Sequence, residues 1–223
     1  MTFNDFKAMN YDCVKAYLLG LMYPKFNNNK GNSFNDGKYY VLGVVNHNAK
    51  YITQDEVAAH LMAVRTFLTD NNYNPNDFTI LPSDSRLGRI KGTQVGFAFF
   101  FETESNIEAQ CVEYLRTQVN ELETKDDNIK RYFIKGMFDG RGSCDQNSKL
   151  LVVDVDSTPG KMETLDNIVR SMGFQTSNNT RHTGEARPMQ FRIKGISIRK
   201  WKNEIDFFSV RRKNELQKII NNL

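Results

Sequence analysis

Apolar residues recur along the chain at spacings that alternate between the period of a helix and the period of a strand. Residues 11–22 carry apolar side chains on a helical period and are followed by Pro24, which favours a helix end. The first half of the chain predicts helices at residues 11–22, 54–68 and 105–122, with strands at 39–45, 77–81 and 94–101. Its elements therefore run helix, strands, helix, strands, helix.

The same order of elements begins again after a polar connector at residues 121–127. The second half predicts helices at residues 129–138, 162–172 and 198–223, with strands at 149–155, 174–181 and 189–196. We interpret this order as a repeat of architecture, which favours an α+β fold made of two tandem units, residues 1–125 and residues 126–223.

The helices that open the two halves each contain a glycine, Gly20 and Gly136, inside an apolar stretch. A glycine in a helix interior costs about 1 kcal/mol relative to alanine, so it usually has a packing reason, such as the close approach of a second helix. The two glycines lie 116 positions apart, about half of the 223-residue chain, as two tandem copies of one unit require. From the glycines alone, two unrelated helices remain an alternative.

Composition narrows the class of protein without deciding its function. With 39% hydrophobic and 25% charged residues, the chain can bury a core, and collagen, coiled coils and extended disorder are excluded. The net charge of +4 is unevenly distributed: residues 1–125 carry 12 basic and 14 acidic side chains, whereas residues 126–223 carry 18 and 12. The basic excess therefore belongs to the second half.

Cysteine and histidine are too sparse for a disulfide framework or a zinc site. The three cysteines, Cys13, Cys111 and Cys144, are scattered, and the three histidines form no cluster with them at zinc-ligand spacing. The chain opens without a basic segment followed by an apolar run, and no stretch approaches the roughly 18 apolar residues of a membrane span. We therefore expect a soluble protein of a reducing compartment, the cytoplasm, with no membrane partner.

The helix that opens the second half carries the most specific pattern in the chain. Residues 133–143, Phe-Ile-Lys-Gly-Met-Phe-Asp-Gly-Arg-Gly-Ser, resemble the motif of the LAGLIDADG homing endonucleases, which is an apolar helix, an acidic turn and a Gly-Ser entry into a strand. The elements predicted downstream continue the resemblance, whereas residues 17–22 are similar in the helix alone. Two copies would cover most of the chain, so the resemblance implies a single-chain, monomeric, pseudo-twofold member rather than a half-site homodimer.

The resemblance to this family implies both a fold and a chemistry. Each unit would be an αββαββα array, with the two motif helices packed together along a pseudo-dyad and a saddle-shaped antiparallel sheet facing the DNA major groove in each unit. In the family, an acidic residue at the end of each motif helix holds divalent metal ions, which activate water and stabilise the departing oxygen of the phosphodiester.

The sequence departs from the family at the positions of the metal-binding acids. These acids map to Arg141 in the second copy and, when the helices are aligned on Gly20, to Lys25 in the first copy. Asp139 lies two positions before Arg141, where the acid of the family is structural, and Tyr23 is its counterpart. A cation cannot coordinate Mg²⁺ but is favourable beside a DNA phosphate. We interpret Lys25 and Arg141 as phosphate contacts in a DNA-binding frame that has lost cleavage; drift at two surface turns is the alternative.

Polar side chains on the strands of each saddle are the candidates for contact with DNA, because alternate residues of a strand face opposite sides of the sheet. In the second half these candidates are Ser143, Asp145, Lys149, Gln175, Ser177, Asn179, Arg181, Gln190, Arg192 and Lys194. In the first half they are Lys30, Asn32, Ser33, Arg86, Arg89 and Lys91. Basic residues near the C-terminus are candidates for contact with flanking phosphates: Arg199, Lys200, Lys202, Arg211, Arg212 and Lys213. Arginine can bind guanine, and asparagine or glutamine can bind adenine, in the major groove, so the strand residues suit base contacts as well as phosphate contacts.

The sequence therefore predicts a monomeric protein that binds a specific site on double-stranded DNA, without nuclease activity and without a cofactor, in a role such as regulation. Two alternatives remain. One is an active endonuclease that uses Mg²⁺, with Asp139 and either Asp145 or Asp154 as its acids. The other is an RNA-binding intron-splicing factor, since a basic saddle does not by itself distinguish DNA from RNA.

Overall fold

The described part of the chain contains eight α-helices and nine β-strands. A computed structural model describes residues 3–25, 32–34, 39–44, 47–48, 54–73, 79–81, 94–102, 107–155, 159–179 and 189–223. The helices are α1 (Phe3–Ala8), α2 (Cys13–Met22), α3 (Gln54–Asp70), α4 (Ile107–Glu121), α5 (Asp127–Arg141), α6 (Lys161–Ser171), α7 (Ile198–Glu204) and α8 (Val210–Asn221).

The strands form two antiparallel sheets, one from each half of the chain. The N-terminal sheet contains β1 (Asn32–Phe34), β2 (Tyr39–Val44), β3 (His47–Asn48), β4 (Thr79–Leu81) and β5 (Gln94–Glu102), in the order β1-β2-β5-β3 with β4 also paired to β5. The C-terminal sheet contains β6 (Gly142–Asp145), β7 (Leu150–Val155), β8 (Thr176–Asn179) and β9 (Met189–Ile193), in the order β6-β7-β9-β8. Mixed helix and sheet content with an antiparallel four-stranded sheet agrees with the predicted α+β class.

The predicted element order holds, with local differences that have physical causes. The helix predicted at residues 198–223 is two helices, because Asp206 adopts a left-handed backbone conformation (φ 50°) and redirects the chain after α7. The elements α1 and β1 were not predicted, because each is too short to show a clear period of apolar residues. The boundary predicted at residue 125 falls between α4 and α5, although the division into two units stays a prediction. No helix in the described segments is long and apolar enough to cross a membrane.

The core of the molecule is centred on the contact between α2 and α5. Every residue of α2 from Val14 to Met22 is buried, as expected for a helix that is apolar on nearly all sides. A Cβ placed on Gly20 would lie 2.0 Å from the carbonyl oxygen of Phe133, and a Cβ placed on Gly136 would lie 2.1 Å from that of Tyr17. Each glycine thus faces the carbonyl three residues before the other glycine. The two backbones are in direct contact, which only glycine allows at these positions.

The C-terminal sheet is covered on one face and polar on the other. On the covered face Leu151, Val153, Phe191 and Ile193 are fully buried, and α5, α6 and α8 contact the strands. On the opposite face most of the strand residues are polar, with Leu150 and Val152 of β7 as the apolar exceptions. The predicted inward orientation of Phe191 and Ile193 is confirmed.

A buried carboxylate connects the end of the motif helix α5 to the start of α8. The side chain of Asp139 is fully buried and accepts hydrogen bonds from the backbone N–H groups of Phe208 (3.1 Å) and Ser209 (3.3 Å). The buried guanidinium of Arg212 donates to the carbonyls of Asp139 and Gly142, with 3.1 Å between its Nε and the Gly142 oxygen. Burial raises the pKa of Asp139, against the opposing influence of Arg212 and of the two N–H donors. Asp139 therefore has the structural role that the family resemblance implied.

We predict that the glycine contact is the least tolerant point of the core. Gly20→Ala or Gly136→Ala should lower the free energy of unfolding by about 1–3 kcal/mol, because the overpacking outweighs the higher helix propensity of alanine. Chemical denaturation of each variant measures the change. Gly140→Ala is the matched control, because a Cβ there would meet a movable side-chain atom, Leu21 Cδ2, at 3.2 Å. Equal losses in all three variants would contradict the assignment of backbone contact to Gly20 and Gly136.

A second prediction concerns the buried carboxylate. Asp139→Ala should lower the free energy of unfolding by about 3 kcal/mol, because it leaves two backbone N–H donors without their acceptor and removes the negative charge near the buried guanidinium of Arg212. Asp154→Ala removes an exposed carboxylate of the same sheet region and should cost far less. Thermal and denaturant unfolding of the two variants compare these sites directly, and a small loss in Asp139→Ala would rule out a structural role.

Candidate nucleic-acid interface

The face of the C-terminal sheet opposite the helices, within the described residues, brings together several of the strand residues that were proposed for the second half. The residues that share this face by strand alternation, called the polar face below, are Ser143, Asp145, Asp154, Ser177, Gln190 and Arg192. Ser143 and Asp154 are exposed, whereas Ser177, Gln190 and Arg192 are half-buried. Strand pairing aligns Ser143, Val152, Arg192 and Ser177 in one row and Asp154, Gln190 and Asn179 in the next. The polar residues thus form one continuous surface across four strands.

Three side chains of the polar face are linked by hydrogen bonds. The Nε2 of Gln190 donates to Asp154 Oδ1 (3.2 Å), and the Nη2 of Arg192 donates to Gln190 Oε1 (2.7 Å). The Nε of Arg192 is buried and has no hydrogen-bond partner in the described part of the chain. Val152 lies beside Arg192 in the same row and faces the polar side by strand alternation, yet it is only 8% exposed.

The turn between β6 and β7 fixes one end of the polar face. Asp145 accepts hydrogen bonds from the backbone N–H groups of Asn147 and Ser148, both at 3.0 Å, and the bond from Ser148 is the first cause of its lowered pKa. Lys149 has a left-handed backbone conformation (φ 52°), and its Nζ donates to the carbonyl of Asn222 at the end of α8. Lys149 was proposed as a DNA contact, and the structure places its ammonium on the C-terminal end of a helix.

Two more proposed residues lie at the same end of the sheet. Gln175 and Lys194 are exposed, and they flank β8 and β9 with the Lys194 N–H donating to the Gln175 carbonyl (2.9 Å). A Cβ on the neighbouring Gly195 would lie 3.0 Å from the Lys149 carbonyl oxygen, so the end of β9 and the β6–β7 turn are adjacent. Lys149 and Lys194 therefore place positive charge at one margin of the sheet.

Arg141 is the last residue of the motif helix α5 and directly precedes β6. It is half-buried, burial lowers the pKa of its guanidinium, and it forms no hydrogen bond or ion pair within the described residues. A partly desolvated guanidinium without an acceptor is an available site for an anion. Its counterpart Lys25 ends the short 3₁₀ turn Tyr23–Lys25 that follows α2 and packs against α5 and β7. The structure describes the backbone of Lys25 but not its side chain.

The remaining proposed contacts are described only in part or not at all. Asn32 opens β1 and pairs with Val41, and Ser33 follows it and pairs with Tyr40; the side chains of both are not described. Asn179 closes β8, and its side chain is not described. The other proposed contacts lie outside the described residues: Lys30, Arg86, Arg89, Lys91 and Arg181.

The donor set at the motif helices does not fit a divalent metal ion. Cations occupy both positions at which the resemblance implies acids, and the nearby Asp139 is fully buried with its oxygens accepting backbone hydrogen bonds. Asp139 is therefore unavailable as the acid of the endonuclease alternative. Among the described residues, no three His, Cys, Asp or Glu side chains lie close enough to hold a metal ion.

The prediction that the C-terminal basic residues contact flanking phosphates is wrong for Arg212 and stays a prediction for the others. Arg212 is buried in the core. Three others pair with acids one helical turn away: Lys200 with Glu204 (2.6 Å), Lys202 with Asp206 (2.9 Å) and Arg211 with Glu215 (2.8 Å). Spacing of four residues between opposite charges was the sequence signal for this pairing.

The role of Asp154 on the polar face was not predicted from the sequence. The sequence proposed Asp154 only as an acid of the endonuclease alternative. In the structure Asp154 accepts a hydrogen bond from Gln190, which in turn accepts one from Arg192. The signal was available, since Asp154 is the single polar residue in the apolar strand β7 and alternation turns it away from Val153 and Val155.

Comparison with known proteins agrees with this arrangement at the level of the fold. No protein-family profile and no curated protein sequence matches the chain. The crystal structure of I-DmoI in complex with DNA and manganese superposes with a TM-score of 0.52 and 16% identity, covering 88% of this chain and 97% of that one. A variant of I-DmoI bound to its target DNA in the presence of manganese gives a TM-score of 0.52 and 15% identity, covering 93% and 100%. The I-DmoI complex with DNA and calcium gives 0.52 and 15%, covering 88% and 91%.

At this level of identity the likeness establishes the fold alone. I-DmoI is a single-chain LAGLIDADG homing endonuclease, and its fold spans almost the whole of both chains. The resemblance inferred from residues 133–143 is therefore confirmed by structure: this chain has the fold of a LAGLIDADG homing endonuclease.

Proposed function

We propose that this protein binds a specific site on double-stranded DNA as a single chain and does not cleave it. The observation that carries the proposal is Arg141, a half-buried guanidinium without a partner in the described residues, at the end of the motif helix and next to the polar face. The fold supports DNA as the ligand, since the superposed I-DmoI structures hold DNA.

Arg141 is suited to a phosphate for an electrostatic reason. A cation that is partly removed from water gains more from a charge-assisted hydrogen bond than a fully hydrated surface lysine does. Lys25 occupies the corresponding position after α2. In the proposed complex the two cations neutralise backbone phosphates at the positions where an active enzyme would hold metal ions between its acids and the DNA.

The polar face is suited to base edges rather than to phosphates. Its strands carry one cation, Arg192, beside the acids Asp145 and Asp154, and the other members are amides and hydroxyls. Such a mixture offers donors and acceptors without a large net charge, which is the chemistry of direct contact in the major groove. At the margin of the sheet the exposed Lys194 suits a backbone phosphate instead, whereas the ammonium of Lys149 donates to the Asn222 carbonyl.

Loss of cleavage follows from the same positions. Without a carboxylate at the end of either motif helix, a divalent metal ion has no seat beside the scissile phosphates, and Asp139 is held in the core. Binding without cleavage suits a regulatory protein of the cytoplasm, which acts by occupying its DNA site.

The first test asks whether the purified full chain selects a site from randomised duplex DNA. We expect enrichment of one long site and intact DNA ends after incubation with Mg²⁺, measured by sequencing the retained pool and by gel analysis of ends. Specific double-strand cuts would establish the endonuclease alternative and contradict the proposal. Competition with folded RNA is the parallel arm, and a preference for RNA over the selected duplex would exclude DNA as the ligand.

A second prediction concerns Arg141. Arg141→Gln should weaken binding to all duplexes about equally and lower the slope of log affinity against log salt by about one, because one phosphate contact is lost. Arg116→Gln removes the same charge from an exposed position of α4 and serves as the control. Unchanged affinity and salt slope in Arg141→Gln would show that Arg141 contacts no phosphate and that the loss of the acid at this position is neutral sequence drift.

A further inference from the structure

The acid Asp154 stands out on a surface proposed to bind a polyanion. It is exposed, it lies beside Gln190 in the end row of the polar face, and its charge repels the DNA backbone. The turn acid Asp145 is explained by its two backbone hydrogen bonds, whereas Asp154 makes no contact of that kind within the described residues. The side-chain contact that Asp154 does make is the hydrogen bond that it accepts from Gln190.

This hydrogen bond fixes which way the amide of Gln190 points. A carboxylate only accepts hydrogen bonds, so Asp154 requires the Nε2 of Gln190, and a guanidinium only donates, so Arg192 requires the Oε1. The two neighbours impose the same orientation from opposite sides, at 3.2 Å and 2.7 Å. Without Asp154, Arg192 alone would hold the amide, and the Gln190 side chain would be free to leave the rotamer that presents Oε1 to Arg192.

The orientation of Gln190 in turn fixes the guanidinium plane of Arg192. Nη2 is bound to Gln190, and Nε is buried beside the sheet. Nη1 and the second N–H of Nη2 make no hydrogen bond within the described residues and can act as a pair of donors. Guanine presents a matching pair of acceptors, O6 and N7, in the major groove, and adenine, cytosine and thymine do not.

We infer that Arg192 is the residue that specifies a guanine in the DNA target, and that Asp154, acting through Gln190, is the positioning residue that gives Arg192 this preference. The inference rests on the proposed function, because it assigns a role within the same DNA-binding face. It explains why an acid is retained on that face: Asp154 weakens attraction to DNA in general and strengthens discrimination between bases.

Two substitutions of the same residue separate these effects. Asp154→Asn and Asp154→Ala both remove one negative charge, but only Asp154→Asn keeps an oxygen that can accept from Gln190. Both should raise affinity for unselected duplex by roughly two- to fivefold. Asp154→Asn should keep the guanine preference, and Asp154→Ala should reduce it. Arg192→Gln should abolish the preference at that base pair, a loss of roughly 10- to 100-fold in discrimination.

The experiment selects sites from a randomised duplex pool with the wild-type chain and the three variants, then measures affinity for the selected site and for its four versions at the guanine position. Thermal unfolding of each variant checks that the fold is intact. The inference is supported when one guanine position loses its preference in Arg192→Gln and Asp154→Ala and keeps it in Asp154→Asn.

Other outcomes overturn the inference in distinguishable ways. Equal discrimination in Asp154→Asn and Asp154→Ala, whether kept or lost, would remove the role of the hydrogen bond. An unchanged site in Arg192→Gln would remove Arg192 as the specifying residue while the proposed function stands. Failure of the wild-type chain to select any duplex would overturn the proposed function, and this inference with it.

Discussion

Two helices of this protein touch through their backbones, and most of the structure depends on that contact. At Gly20 and Gly136 there is no room for a side chain, since a Cβ at either position would lie about 2 Å from a carbonyl oxygen of the facing helix. Contact at this distance fixes where α2 and α5 end relative to each other. It therefore also fixes where the 3₁₀ turn at Tyr23–Lys25 and the residue Arg141 lie. The geometry of the candidate interface is thus set in the core.

At the end of α5, helix geometry directs a negative and a positive side chain to opposite sides of the helix. Asp139 and Arg141 are two residues apart, which is about 200° around a helix, so they point to nearly opposite sides. Asp139 points into the core, where it accepts hydrogen bonds at the start of α8, and Arg141 stays half-exposed beside β6. A structural acid and an available cation thus come from one turn of one helix. Exchanging their roles would bury a cation among donors and leave the start of α8 without an acceptor.

In the rest of the C-terminal half, too, some cations are paired or buried whereas others remain available to a ligand. The cations of α7 and α8 are largely neutralised by acids one turn away or, for Arg212, buried against carbonyls. The net basic charge of residues 126–223 is therefore not spread evenly over the surface. The cations that form no ion pair within the described residues include Arg141, the exposed Arg199 and the lysines at the margin of the sheet, and the polar face holds a mixed set of donors and acceptors. A surface of this kind combines electrostatic attraction at its margins with hydrogen-bonding selectivity at its centre.

The sequence by itself determined the features that depend on neighbours along the chain. Helical and strand periods gave the element order, alternation in Met189–Ile193 gave the inward face of Phe191 and Ile193, and the glycines with the motif at residues 133–143 gave the fold. The tertiary structure decided what depends on partners far apart in sequence. The burial of Arg212 against Asp139 joins residues 73 positions apart, and the contact of Asp154 with Gln190 joins residues 36 positions apart. Local periods are set by backbone geometry and can be recognised in a single segment, whereas the partner of a charged or amide side chain is set by which segments the core brings together. For this reason the candidate strand residues could be named from the sequence, but which of them are available to DNA, and which are held by other residues, was decided only by the fold.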